Sequence, residues 1–349
     1  MKLFIVLFIV IALLAIMDYY SQHHLGLWIA AIIMAVVAGI RYNTGYDYGS
    51  YYWYYVAKQG SFEKGFEWLN SFGHLLHLNV FEFQIFYAFL TLGLLTYFLY
   101  RNVSPGIGGF GLLYYFSRFY WVRDLGQVRS SLACVICLYS IKYIKEKRLI
   151  PFLIIILIAQ LVHRGAIVFI FAYLIANYFN KNVGFAKTIF YLIGAYIVGI
   201  ILKNYPILIQ KLTHDSAYVT QTAYTTDSSG SLVTLIVQII MILLYIYVKH
   251  YDGSNNKFMG TVANVYLTGI LVALVFISGY RTLGYRLDTM LNTTEIIMVP
   301  YLINKIFNNK VLVVIINIMA CSLMLYMMIF YSKGYMNFVP FNTMFSSIK

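Results

Sequence analysis

The feature that most constrains this chain is the recurrence of apolar runs about as long as a bilayer is thick. A spanning helix needs about 20 apolar residues, and about twelve stretches of the sequence approach that length. They lie at residues 3–19, 25–40, 81–100, 107–122, 125–143, 149–162, 166–179, 185–202, 231–248, 259–278, 290–307 and 311–331. In lipid an apolar segment can satisfy its backbone polar groups only within itself, so each run is expected to be helical. The alternating pattern of an outer-membrane barrel strand is absent. Only 11% of the residues are charged, against about a quarter in soluble domains, too few to coat a water-facing surface. The expected fold is all-α, a polytopic transmembrane bundle of about 12 spanning helices. It forms one integral membrane domain over 1–349, with short helices in its long outward-facing loops.

Two connections are long, at about 41–80 and 203–230. Loops of this length that keep aromatic and apolar residues are usually functional. Alternating the spans places the Lys-bearing loops at 142–148, 181–187, 249–257 and 305–310 on one side, which is expected to be cytoplasmic. The other side takes both long loops and most arginines, so the functional face is expected to look outward. A net charge of +13 would suggest nucleic acid in a soluble protein. Here the basic residues sit between membrane spans, so membrane lipids and anionic lipid-linked substrates are the expected partners, and nucleic acid is not. The 34 tyrosines fit headgroup-level belts at many crossings. Lys2 and residues 3–15 resemble a signal peptide, but no small-residue cleavage site follows, so a retained first span is expected. Cys134 and Cys137 form a CxxC inside an apolar run and are read as packing residues.

Four constellations carry chemistry. The densest is Arg41-Tyr42-Asn43-Thr44-Gly45-Tyr46-Asp47-Tyr48-Gly49-Ser50-Tyr51-Tyr52-Trp53. Arg41 stands where a cation can reach a headgroup or diphosphate, and Asn43-Thr44-Gly45 is turn chemistry. Asp47 is either a base or sugar-hydroxyl ligand, or else an ion-pair partner of Arg41 or a helix cap. The second group holds Arg123, Asp124, Gln127 and Arg129. Arg129 falls inside the expected 125–143 helix, where a charge costs about 3 kcal/mol and normally faces a partner or a wet site. His163-Arg164 interrupts an otherwise continuous apolar stretch, and a cation beside the imidazole would favour its neutral, basic form. Last come Arg281 and Arg286 with Asp288, read as a turn that aims both arginines inward. His74 and His77 lack the companions of a metal site, so no metal is expected. No nucleotide-binding or hydrolase motif is present, and no cofactor is expected.

The first constellation resembles the R-Y-x-x-G-x-D-Y-x-x-Y signature of the EpsG family, among the Wzy-type bacterial polysaccharide polymerases. The Arg123–Ser131 segment resembles that family's second motif, with Val128 between Gln127 and Arg129. His163 and Tyr285-Arg286-Leu287 resemble its middle histidine and late arginine motif. The resemblance implies a metal-independent glycosyltransferase that joins undecaprenyl-diphosphate-linked oligosaccharide repeat units, together with a chain-length regulator as possible partner. It implies Arg123, Arg129, Arg164, Arg281 and Arg286 around the diphosphate, and His163 as base, with Asp47 the other candidate. Arg41, Tyr46, Tyr48, Tyr51 and Trp53 would bind the acceptor sugar. The alternatives are a flippase or other transporter of lipid-linked oligosaccharide, or a glycan ligase using the same donor.

Overall fold

A computed structural model describes residues 2–179, 184–213, 229–252, 256–331 and 335–345. Among them the secondary structure is helical apart from one isolated antiparallel bridge between Arg41 and Thr343. Every expected apolar run becomes helix, but only six helices among the described residues are both long and apolar enough to cross a membrane. They are Lys2–Ser21, Val80–Asn102, Phe185–Leu202, Leu232–Tyr251, Lys257–Ile277 and Lys310–Phe330. The rest are short or interrupted. Leu149–Val162 has 14 residues, or about 21 Å of rise against a core of about 30 Å. The 107–122 run breaks into Pro105–Tyr115, a π-helical turn at Phe116–Tyr120 and the turn Trp121–Arg123. The 41–80 connection carries the short helices Tyr48–Ala57 and Lys64–Leu75. Most of the 203–230 connection lies outside the described residues.

The chain divides into two compact units. The first comprises Met1–Tyr139, Leu157–Arg164 and Glu295–Lys349. Here Leu25–Gly39 packs along Val80–Asn102, and Lys2–Ser21 along Pro105–Tyr115. Phe4, Leu7 and Ile11 are buried while Ile5, Ile9 and Leu13 stay exposed, as expected of a helix with protein on one face and lipid on the other. Several buried carboxylates inside this unit are paired. The Asp18 carboxylate accepts the Gly26 and Leu27 N–H groups at 2.7 Å, satisfying the first donors of the second helix. Glu295 accepts from Arg118 Nε at 2.8 Å and from Tyr114 Oη at 2.9 Å. Asn79 and Glu82 form a reciprocal capping box that starts Val80–Asn102.

The second unit comprises Ser140–Ile156 and Gly165–Thr294. Lys257–Ile277 is its centre, packed against Phe185–Leu202, Ser229–Asp252 and Arg281–Leu291. The last of these corrects an expectation: Arg281 and Arg286 lie on one regular helix, not in a turn. Five residues of helix rotate a side chain well off its starting face. Arg286 is accordingly exposed and Arg281 half-buried.

Candidate functional site

The Arg41 motif lies in the first unit, between the end of Leu25–Gly39 and the start of Tyr48–Ala57. Its backbone is strapped to the segment near Thr343. Tyr42 N donates to Asn342 O at 2.9 Å, Gly45 N to Asn337 O at 3.1 Å, and Met344 N to Ile40 O at 2.9 Å. Gly45 has φ +104° and presses against the turn after Arg123: a Cβ there would lie 1.9 Å from the Leu125 carbonyl oxygen. That packing brings Arg41 and Asp124 to one cavity, lined also by Tyr51, Gln84 and Tyr87. Arg41 is only 3% exposed. Its Nη1 donates to Ala38 O at 2.8 Å, and its Nε has no hydrogen-bond partner among the described residues.

Asp124 is not the helix cap that its position suggests. The next helix starts at Val128, and the buried Asp124 carboxylate accepts from Tyr115 Oη at 2.7 Å and Ser131 Oγ at 2.9 Å. Burial pushes its pKa up to about 6, against the hydrogen bonds from Tyr115 and Ser131 and the charges of Arg123 and Arg41. Arg123 is buried with its guanidinium 4.2 Å from the Phe119 ring centre.

A second cluster adjoins this cavity through Tyr51 and Phe66. Arg129 is the second residue of its helix, not a residue a turn inside it as the apolar run suggested. Its guanidinium lies 4.3 Å from the ring centre of Phe62, 5.6 Å from Tyr51 and 5.9 Å from Phe66, and Nη1 donates to Glu63 Oε2. Oε1 of the same carboxylate accepts the Arg164 N–H at 3.2 Å and lies 3.5 Å from His163 Nδ1. Gly65 permits this meeting, because a Cβ there would lie 2.7 Å from Leu161 O. Burial raises the Glu63 pKa, but the neighbouring His163 imidazole, the Arg129 charge and the Arg164 N–H hold it down at about 2. The carboxylate is therefore a fixed anion at any physiological pH.

The expected site residues thus separate. His163, Arg129 and the Arg164 backbone converge on Glu63, while the Arg164 side chain is exposed. Asp47 precedes Tyr48–Ala57 and receives a long contact, 3.5 Å, from Tyr51 Oη. Burial and the Asp47 charge push the Tyr51 pKa up to about 12, despite Arg129. The aromatic run divides: Tyr48 and Tyr51 turn inward, whereas Tyr46 and Trp53 are about half exposed, at 46% and 52%. Arg281 and Arg286 belong to the second unit. There Arg281 lines a smaller cavity with Tyr285 and Asp288, and Asp288 accepts from Gln238 Nε2 at 3.1 Å and from Asn292 Nδ2. Among the described residues no group of three or more His, Cys, Asp or Glu side chains is placed to hold a metal ion. Sequence reading missed Glu63. The signal available was scarcity, since the chain has 12 acidic residues for 25 basic ones and this one sits among the aromatics of a long loop.

Six apolar helices among the described residues, each long enough to cross a membrane, with charged side chains gathered between the helices, define a polytopic membrane protein. The chain belongs to the EpsG family, whose model matches residues 24–343. No curated protein and no solved structure is significantly similar to it.

Proposed function

We propose that the protein is a polysaccharide polymerase, a membrane glycosyltransferase that joins oligosaccharide repeat units carried on undecaprenyl diphosphate at the outer face of the bacterial inner membrane. Family membership supports the class of reaction. The observation that carries the chemistry is the convergence of His163 and Arg129 on one carboxylate beside the motif tyrosine Tyr51. In the reaction an acceptor hydroxyl oxygen bonds to the anomeric carbon of the growing glycan. The bond from that carbon to the lipid diphosphate breaks, and the hydroxyl proton passes to His163 Nε2. Charge gathers on the departing diphosphate, where the preplaced cation Arg129 stabilises it most as the bond breaks, joined by the exposed side chain of Arg164. Arg41, with Asp47 and the outer tyrosines, receives the acceptor sugar.

The test is a strain lacking this chain, with its lipid-linked glycans separated by length and by leaflet. Single repeat units on lipid at the outer leaflet, without long chains, are expected. Accumulation confined to the inner leaflet would instead identify a transporter.

A further inference from the structure

We propose that Glu63 is a positioning residue: its carboxylate fixes the base His163 and the diphosphate-binding Arg129 in one arrangement. This inference rests on the polymerase reading above. Its two oxygens have separate tasks. Oε2 takes Arg129 Nη1, and Oε1 faces His163 Nδ1 at 3.5 Å while accepting the Arg164 N–H at 3.2 Å. An imidazole whose Nδ1 faces a carboxylate favours its proton on that nitrogen and presents Nε2 as its basic one, and the carboxylate also stabilises the imidazolium formed on proton transfer. The His163 side chain is 33% exposed and that of Glu63 only 10%, so the imidazole can be reached while the carboxylate behind it is enclosed. Glu63 is unsuited to be the base itself, since both its oxygens are engaged by donors.

The helix that begins after Glu63 is anchored for this purpose. Gly65 lies against the Leu161 carbonyl, two residues before His163, so Glu63 and His163 are held together by backbone packing as well as by their side chains. Arg129 is held from the other side by Phe62, Tyr51 and Phe66, the first and last of which flank Glu63 in the chain. The base, the cation for the leaving group and the anion between them therefore form one rigid set. A set of this kind suits a step in which a proton arrives at one group while negative charge grows at another.

The rival account is a clamp that merely ties the 41–80 loop to the helix ends, and a double-mutant cycle separates the two. Wild type, Glu63→Gln, His163→Gln and the double variant are reconstituted as full-length chains in proteoliposomes. Turnover is measured on lipid-linked repeat units purified from a strain lacking this chain, and normalised to folded protein. A positioning role predicts that Glu63→Gln lowers kcat on the order of 10- to 100-fold with KM nearly unchanged, and costs a clearly smaller factor once His163 is Gln, since only its hold on Arg129 is then left to lose. The proposal is overturned if Glu63→Gln costs the same factor in both backgrounds, or if it raises KM and spares kcat. Should Glu63→Gln fail to accumulate, the cycle is run with Glu63→Asp, whose shorter carboxylate cannot span both partners; equal losses in the two backgrounds again overturn it. Wild-type protein that builds no chains from these units would instead defeat the polymerase reading, and that control is read before the cycle.

Discussion

Gly45 and the carbonyl of Leu125 are in such close contact that a single methyl group on the glycine would lie 1.9 Å from the oxygen. The glycine also holds φ +104°, a backbone region that side chains disfavour. Gly45→Ala is therefore expected to cost on the order of 3 kcal/mol through strain and forced separation of the two loops. Gly49, four residues on, has nothing within 4 Å of a Cβ. Gly49→Ala should be neutral or slightly stabilising in its helix. Melting curves of the detergent-solubilised variants test the contrast, which fails if both melt alike.

Arg129→Lys keeps a positive charge but loses the planar fork that stacks on Phe62 and reaches Glu63. Loss of a charge-assisted hydrogen bond at a diphosphate is worth about 1–3 kcal/mol. Polymer synthesis should fall on the order of tenfold or more at unchanged protein abundance. Glycan of wild-type length and amount from this variant would remove Arg129 from the diphosphate site.

Asp124 predicts an uncommon pH signature. Burial raises its folded-state pKa from 3.8 to about 6, so between those values the folded chain holds a proton that the unfolded chain has released. Stability from this group is full below about pH 4 and is lost as pH rises through 6. Asp124→Asn removes the titration. The melting temperature of wild type relative to Asp124→Asn should therefore fall between pH 4 and 6, and a flat difference would show that the carboxylate is not held as described.

The outward placement of the 41–80 loop is tested with introduced cysteines. Ser61 and Lys147 are both exposed, and the native Cys134, Cys137 and Cys321 are all buried. An impermeant maleimide applied to intact spheroplasts should label Ser61→Cys and spare Lys147→Cys. The reverse pattern would invert the orientation.

Helical identity was legible because an apolar run in lipid has no other backbone solution. Which runs cross the membrane was not, because breaks such as Phe116–Tyr120 and Asn292–Thr294 arise inside segments that hydropathy reads as continuous. The cations of the site were legible as charges in apolar surroundings. Glu63 and Asp124 were not, since their roles depend on partners that the sequence does not reveal. Arg129 meets Glu63 across 66 positions, and only the close approach of Gly65 to Leu161 brings His163 to the same carboxylate. The inward aim expected of both Arg281 and Arg286 failed because the segment continues as one helix, on which a spacing of five sends the two side chains to different faces.

The strap between residues 337–344 and the Arg41 motif has a consequence for biosynthesis. Thr44 and Asn342 are bonded across 298 positions, and at about 5–20 residues per second a ribosome needs about 15–60 s to traverse that interval. Throughout that time the motif is already made and has no strap to hold it. Prematurely terminated products lacking residues 337–344 therefore carry the Arg41 motif unfastened at Tyr42 and Gly45.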